Sequence, residues 1–193
     1  DRICRALWVG CGRPAPWISQ HYSKGYYLDP EFETGLQRTD RNMIYLEGRD
    51  EDGYSLLMVA AMADRSGELL KALWDVHLDA TDLEEREEEF GMTALHVAAA
   101  CGTAGADRAL LELGADLEAV THDGLLRPLH CAAATSAPDA PAVAQLLLNS
   151  GADVTARDAQ GRTALHLASQ CGRVHVMRML LCVGADAAAK DNH

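Results

Sequence analysis

Apolar and polar positions follow one another in a repeating order along the second half of the chain. A short alanine-rich apolar stretch, Ala94–Cys101 and again residues 164–171, is followed by a glycine, Gly102 or Gly172. A second stretch then places Val176, Leu180 and Leu181 at i, i+4 and i+5, a spacing that gathers apolar side chains on one helix face. Glycine accepts the left-handed geometry in which helices end. Each block therefore predicts two short helices, divided at one glycine and closed by another such as Gly184. Thr93 and Thr163 stand just ahead of the first helices, where a hydroxyl can accept a bond from an unpaired amide of the first turn. Polar residues connect one block to the next, and within residues 153–161 Asp158 and Gly161 suit a tight turn.

The blocks are internal repeats. Thr93-Ala94-Leu95-His96, Arg127-Pro128-Leu129-His130 and Thr163-Ala164-Leu165-His166 carry histidines 34 and 36 residues apart. Gly-Ala-Asp triplets that follow a Leu-Leu pair begin at Gly114, Gly151 and Gly184, 37 and 33 residues apart. Three landmarks in one order at one period exclude coincidence. The pattern resembles the ankyrin repeat, whose unit of about 33 residues is a β-turn and two helices with a T-P-L-H-x-A motif. The resemblance implies an all-α fold: an ankyrin-repeat solenoid of about four repeats over residues 51–193, helix-turn-helix pairs joined by hairpin loops. The unit from Arg127 departs from the motif, with Arg in place of the capping Thr and extra residues around 137–141. The first unit, from Gly53 to about Asp79, has Met58 in place of the histidine and reads as a capping or degenerate repeat. Counting five residues from Asp186, as from Asp153 to Asp158, reaches Asp191, so the spacing predicts the opening of a further unit there and a chain that continues beyond His193.

Residues 1–50 lie outside the period. They hold seven of the ten aromatic residues, balance seven charges of each sign, and are broken by Gly10, Gly12, Pro14, Pro16, Gly25 and Pro30. An irregular aromatic-rich N-terminal extension that covers the exposed end of the first repeat is the simplest reading; a remnant of another domain is the alternative.

Charge and composition narrow the function classes. The chain has 193 residues and a formal charge of −12, which repels nucleic acid and anionic membrane surfaces. No apolar run approaches the roughly 18–20 residues of a membrane span, and no secretory leader pattern is present at the start. Six cysteines without a Cys-x-x-Cys pair read as reduced thiols of an intracellular protein, cytoplasmic or nuclear.

Stacked units would space His96, His130 and His166 by roughly 10 Å, a helix width, too far to share a zinc ion bound at about 2 Å. The resemblance makes these histidines structural, bonding around the Thr cap and the neighbouring turn. Cys171 and His175 lack an opposing ligand pair, and Cys4 with Cys11 is no better supported. Phosphate loops, dinucleotide fingerprints, zinc-protease motifs and nucleophile elbows are absent. No cofactor, metal or small-molecule substrate is expected, and no enzyme activity from this segment. The family is also known for asparagine hydroxylation after the Gly-Ala-Asp-Val/Ile sequence, but the matching positions here are Glu118, Thr155 and Ala188.

A solenoid binds along hairpin tips and first helices. The tip candidates are Tyr54, Phe90, Met92, His122, Leu125, Leu126, Gln160 and Arg162; the first-helix candidates are Ala100, Thr135 and Gln170. Apolar tips favour a partner surface, although Leu125 and Leu126 have the alternative of folding back to fill their longer hairpin. Residues 51–89 hold twelve acidic and three basic positions. That run reads as a solvated loop or, functionally, as an acidic finger of Glu84, Glu85, Glu87, Glu88 and Glu89 steering a basic segment of a protein partner. The function expected is a non-catalytic protein–protein interaction module. The alternatives are a regulatory repeat region of a larger enzyme or transporter, or a structural spacer.

Overall fold

The computed structural model describes residues 53–77 and 83–192. The expected N-terminal extension, with Cys4 and Cys11, lies outside those residues. The described elements are four helix pairs: α1 (Leu56–Ala63) with α2 (Glu68–His77), α3 (Ala94–Cys101) with α4 (Ala104–Leu113), α5 (Pro128–Ala134) with α6 (Ala140–Asn149), and α7 (Ala164–Gln170) with α8 (Val174–Cys182). First helices pack in chain order, α1 on α3 on α5 on α7, and second helices do the same, α2 on α4 on α6 on α8. The result is two adjoining rows of helices, the all-α repeat architecture expected from the sequence.

The core runs between the rows. Each second helix contributes a fully buried leucine (Leu70, Leu110, Leu147 and Leu180), and the first helices contribute larger side chains such as Leu57, Leu95 and Leu129 together with alanines such as Ala98, Ala132 and Ala168. Small residues there let helices approach while the leucines fill the remaining space. The second helix of the fourth unit shows the limit of reading a face from spacing. Val176 and Leu180 are buried, but Leu181 is 43% exposed and belongs to the outer side.

Helix ends follow the sequence. Gly102 caps α3 in the left-handed region, and Gly114, Gly151 and Gly184 follow the second helices with φ near 100°. Arg127 serves as the N-cap residue of α5 despite being a poor capping type, because Pro128 at the first helical position presets the backbone and needs no donor partner. In the first unit Asp64 organises the entry to α2. Its carboxylate accepts from the amides of Ser66 (3.0 Å), Gly67 (2.8 Å) and Leu70 (3.0 Å) and from the Ser66 hydroxyl (2.8 Å). Burial alone would raise its pKa, but these donors outweigh it and hold the carboxyl below the ordinary carboxylate range. The first and second units meet at two glycines: a Cβ on Gly67 would stand 2.5 Å from the Gly105 carbonyl oxygen, and one on Gly105 would overlap the Arg65 carbonyl.

Candidate partner-binding face at the hairpin tips

Three hairpins project between the helix pairs, each closed by the backbone. The amide of Glu87 donates to the Met92 carbonyl (3.0 Å), Thr121 to Leu126 (3.1 Å) and Asp158 to Arg162 (2.9 Å). In each, the side chain of that first residue accepts from amides across the turn. Asp158 takes those of Gln160 (2.9 Å) and Arg162 (2.8 Å), Thr121 takes Leu126 (3.0 Å), and Glu87 takes Glu89 (2.7 Å), Phe90 (2.6 Å) and Met92 (3.3 Å). Neighbouring hairpins are joined tip to tip by single main-chain bonds: His122 N–H to Phe90 carbonyl (2.9 Å), Ala159 to Gly124 (2.9 Å) and Asn192 to Gln160 (3.0 Å). Arg86 and Arg157 stitch the same seam two units apart. Arg86 donates to the carbonyls of Gly91 and Val120, and Arg157 to those of Gly161 and Lys190 (both 2.6 Å).

The histidines tie helices to hairpins. His96 Nδ1 accepts the Thr93 amide (3.2 Å) and lies 2.9 Å from the Thr93 hydroxyl, while Nε2 lies 2.9 Å from the Leu126 carbonyl of the next hairpin. With an amide donating to Nδ1 and a carbonyl facing Nε2, the ring is the neutral tautomer protonated at Nε2. His130 repeats the arrangement with the Arg127 amide (3.1 Å) and the Ala156 carbonyl (3.2 Å). Burial pushes both rings down to about 4, against the pull of those carbonyls and, for His130, of Asp158. His166 bonds Thr163 in the same way, at 3.2 Å to its amide and 2.9 Å to its hydroxyl. Thr93 and Thr163 thus occupy the N-cap position expected from the sequence, each in a reciprocal capping box: the threonine side chain faces the backbone amide of the histidine three residues on, and the histidine ring accepts the threonine amide. Among the described residues no group of three His, Cys, Asp or Glu side chains is arranged to hold a metal ion.

At the middle tip the backbone departs from its neighbours. The position filled by Gly91 (φ 69°) and Gly161 (φ 75°) in the flanking hairpins holds Leu125 at φ 47°, the only non-glycine residue with positive φ among those described, and its side chain is 45% exposed.

Comparison with known families decides the architecture. The family described as "Ankyrin repeats (3 copies)" matches residues 118–191, and a single "Ankyrin repeat" matches residues 90–122. The chain belongs to the ankyrin-repeat family. It is 39% identical over 145 residues to the mouse (Mus musculus) B-cell lymphoma 3 protein homolog, a match covering 75% of this chain and 31% of that protein. It is 36% identical over 143 residues to human (Homo sapiens) SH3 and multiple ankyrin repeat domains protein 2, covering 73% of this chain and 7% of that protein. The human neurogenic locus notch homolog protein 2 is 29% identical over 198 residues, covering 92% of this chain and 8% of that protein. The chain therefore spans less than a third of the length of each of these relatives. Ankyrin arrays are protein–protein interaction modules, typically without catalysis, and no described helix is long and apolar enough to cross a membrane.

The ankyrin geometry sorts the residues singled out from the sequence. Tyr54 is 5% exposed and belongs to the core, so it is no tip anchor. Met92 is buried where its amide closes the Glu87 turn. Leu126 is 1% exposed, its amide on Thr121 and its carbonyl facing His96; the Leu125-Leu126 pair is split, one side chain out and one in. Ala100 and Thr135 are buried against each other, the Thr135 hydroxyl donating to the Ala100 carbonyl at 2.6 Å. These five are scaffold, not contact surface. Gln160 and Arg162 are half-buried and engage each other (3.1 Å), with Arg162 also on Asp158 at 2.7 Å. Phe90 is half-buried against the core, whereas His122, Leu125 and Gln170 are exposed. The acidic finger is also reduced. Glu87 is 2% exposed and spent on its turn, and Glu84 accepts the Asp116 amide at 2.7 Å, a bond repeated one unit on by Glu118 and the Asp153 amide at 2.9 Å. Glu88, Glu89 and Asp123 remain exposed beside the tips.

Two signals for these placements lie in the aligned hairpins. Leu125 aligns with Gly91 and Gly161, which would have exposed its strained backbone, and Glu87 aligns with Thr121 and Asp158 once the longer hairpin is allowed for.

Proposed function

We propose that this array recognises a partner protein through its hairpin tips and first helices without chemistry, with Leu125 as the principal anchor, Phe90 and His122 on the neighbouring tip positions, and Gln170 as a further contact on a first helix. The partner surface would offer an apolar recess edged by basic side chains. One observation carries this reading: a leucine held in a left-handed conformation, worth about 1–2 kcal/mol of strain, and turned outward where both neighbouring hairpins use glycine. Strain combined with exposed apolar surface is expected where binding recovers the cost. The exposed Glu88, Glu89 and Asp123 supply the charge complement.

Leu125→Gly separates binding from folding. It is expected to raise stability by up to ~1 kcal/mol, or leave it level once glycine's larger unfolded-state entropy is included, while weakening partner binding by roughly tenfold or more. A photo-crosslinker at position 125 should capture a protein that the same group at exposed Arg178 does not. Equal capture from both positions, together with undiminished binding by Leu125→Gly, rejects the assignment.

A further inference from the structure

The second helix of the second unit carries an acid that its surroundings do not explain. Asp107 on α4 is 0% exposed, and neither carboxyl oxygen has a hydrogen-bond partner. Seven residues before the glycine that follows the second helix (Gly114 here), the third and fourth units place Ala144 and Met177, seven before Gly151 and Gly184. The site is therefore one the repeat makes apolar, and here it holds a carboxyl. Elsewhere the same array satisfies its buried carboxylates fully, as Asp64 and Glu87 show with four and three donors.

Among the described side chains, nothing packed against α4 supplies a counter-charge. Helices α1 and α6, which both touch the second unit, contain no ionisable residue. On α3, His96 turns its ring to the next hairpin, and the Cys101 thiol lies near enough to Asp107 to be affected by it, its pKa pushed up to about 12 by burial and then by that carboxyl. On α2, Lys71 is engaged by Glu112 at 2.8 Å at the surface, and Glu68 and Asp75 are exposed. Arg65 and Asp139, in the flanking connections, pair with each other at 3.5 Å. Arg108 on α4 itself is exposed.

We infer that Asp107 makes α4 a proton-linked seam: the carboxyl is the neutral acid while the helix is seated, and it releases its proton to water when the helix lifts. An ionised carboxylate without a partner is far costlier to bury than the neutral acid, so the seated helix excludes the charged form. Burial raises the carboxyl's affinity for its proton well above the ordinary range. Lifting α4 returns the group to water, where it ionises near pH 4. Each opening then releases one proton, and the opening equilibrium grows tenfold per pH unit until the seated form itself ionises. The seam lies between the first unit and the third, so rising pH loosens the array from within. This does not depend on the hairpin-tip reading.

Amide hydrogen exchange on the whole chain tests it. Between about pH 5 and about pH 7, protection of Ala104–Leu113 amides, corrected for intrinsic exchange, should fall about tenfold per pH unit in the wild type relative to Asp107→Asn. The amides of Ala164–Gln170 should show no such difference. Should the Asn variant fail to fold, Asp107→Met, which copies Met177, serves as the reference. A carboxyl-carbon NMR titration of the wild type gives a second readout: no ionisation of Asp107 near pH 4 supports the inference. Identical pH profiles in wild type and reference, or an Asp107 signal that titrates near pH 4, overturns it.

Discussion

Glu87 illustrates how far a residue's role depends on where its side chain goes. In a run of acidic residues it reads as one more solvated charge, yet its carboxylate closes a turn through three amides, one of them buried Met92's. Removing the acceptor strands those donors, each buried one costing about 1–3 kcal/mol. Glu87→Ala should therefore lower stability by about 2 kcal/mol or more, whereas Glu88→Ala should change it by less than about 0.5 kcal/mol; urea unfolding of the two variants makes the comparison. The histidines were legible from the sequence because recurrence at one period marks scaffold. The tip side chains were not: Tyr54, Met92 and Leu126 are apolar residues in turns, and whether such a residue points in or out is decided by tertiary packing that the linear pattern does not encode.

Among the elements, helix pairs and their order follow from periodicity and glycine placement, so nearly all of the described fold was readable. What was not readable is the closeness of approach between pairs, since it depends on which residue meets which across the interface. Gly105 is the clearest case. In an isolated helix, Gly→Ala stabilises by about 1 kcal/mol; here the added methyl would strike the Arg65 carbonyl of the preceding unit. Gly105→Ala is expected to reverse that sign and destabilise the protein by about 1–3 kcal/mol, with loss of protection in α2 and α4 in hydrogen exchange. A stabilised variant would show that the two units do not meet at this glycine.

For the molecule as a whole, two buried neutral histidines and one buried acid set opposing pH dependences. His96 and His130 have folded values near 4 against an ordinary 6.5. Their contribution is complete above about pH 6.5 and is lost as pH falls toward about 4, because the unfolded chain takes up protons there that the folded one refuses. Asp107 acts oppositely, since the folded chain retains a proton that the unfolded one releases above about pH 4. Two histidines outweigh one acid below about pH 6.5, so stability should rise with pH to near neutrality and then level or decline. Urea midpoints across about pH 4.5–8 will show the maximum; His130→Gln should flatten the acid limb and Asp107→Met the alkaline one. Electrostatics also act at this scale through the exposed tip acids. Glu88→Gln with Glu89→Gln should slow partner association several-fold at low salt and little at high salt.

The rungs that join successive turns, His122 to Phe90, Ala159 to Gly124 and Asn192 to Gln160, use main-chain atoms alone. Any side chain compatible with the local backbone can occupy those crests without disturbing the joints beneath it. Selectivity can accordingly be rewritten by substitution at the exposed crests while the spine stays as it is, which makes this chain a natural candidate for redirecting to a new target by randomising residues 88, 89, 122, 123 and 159.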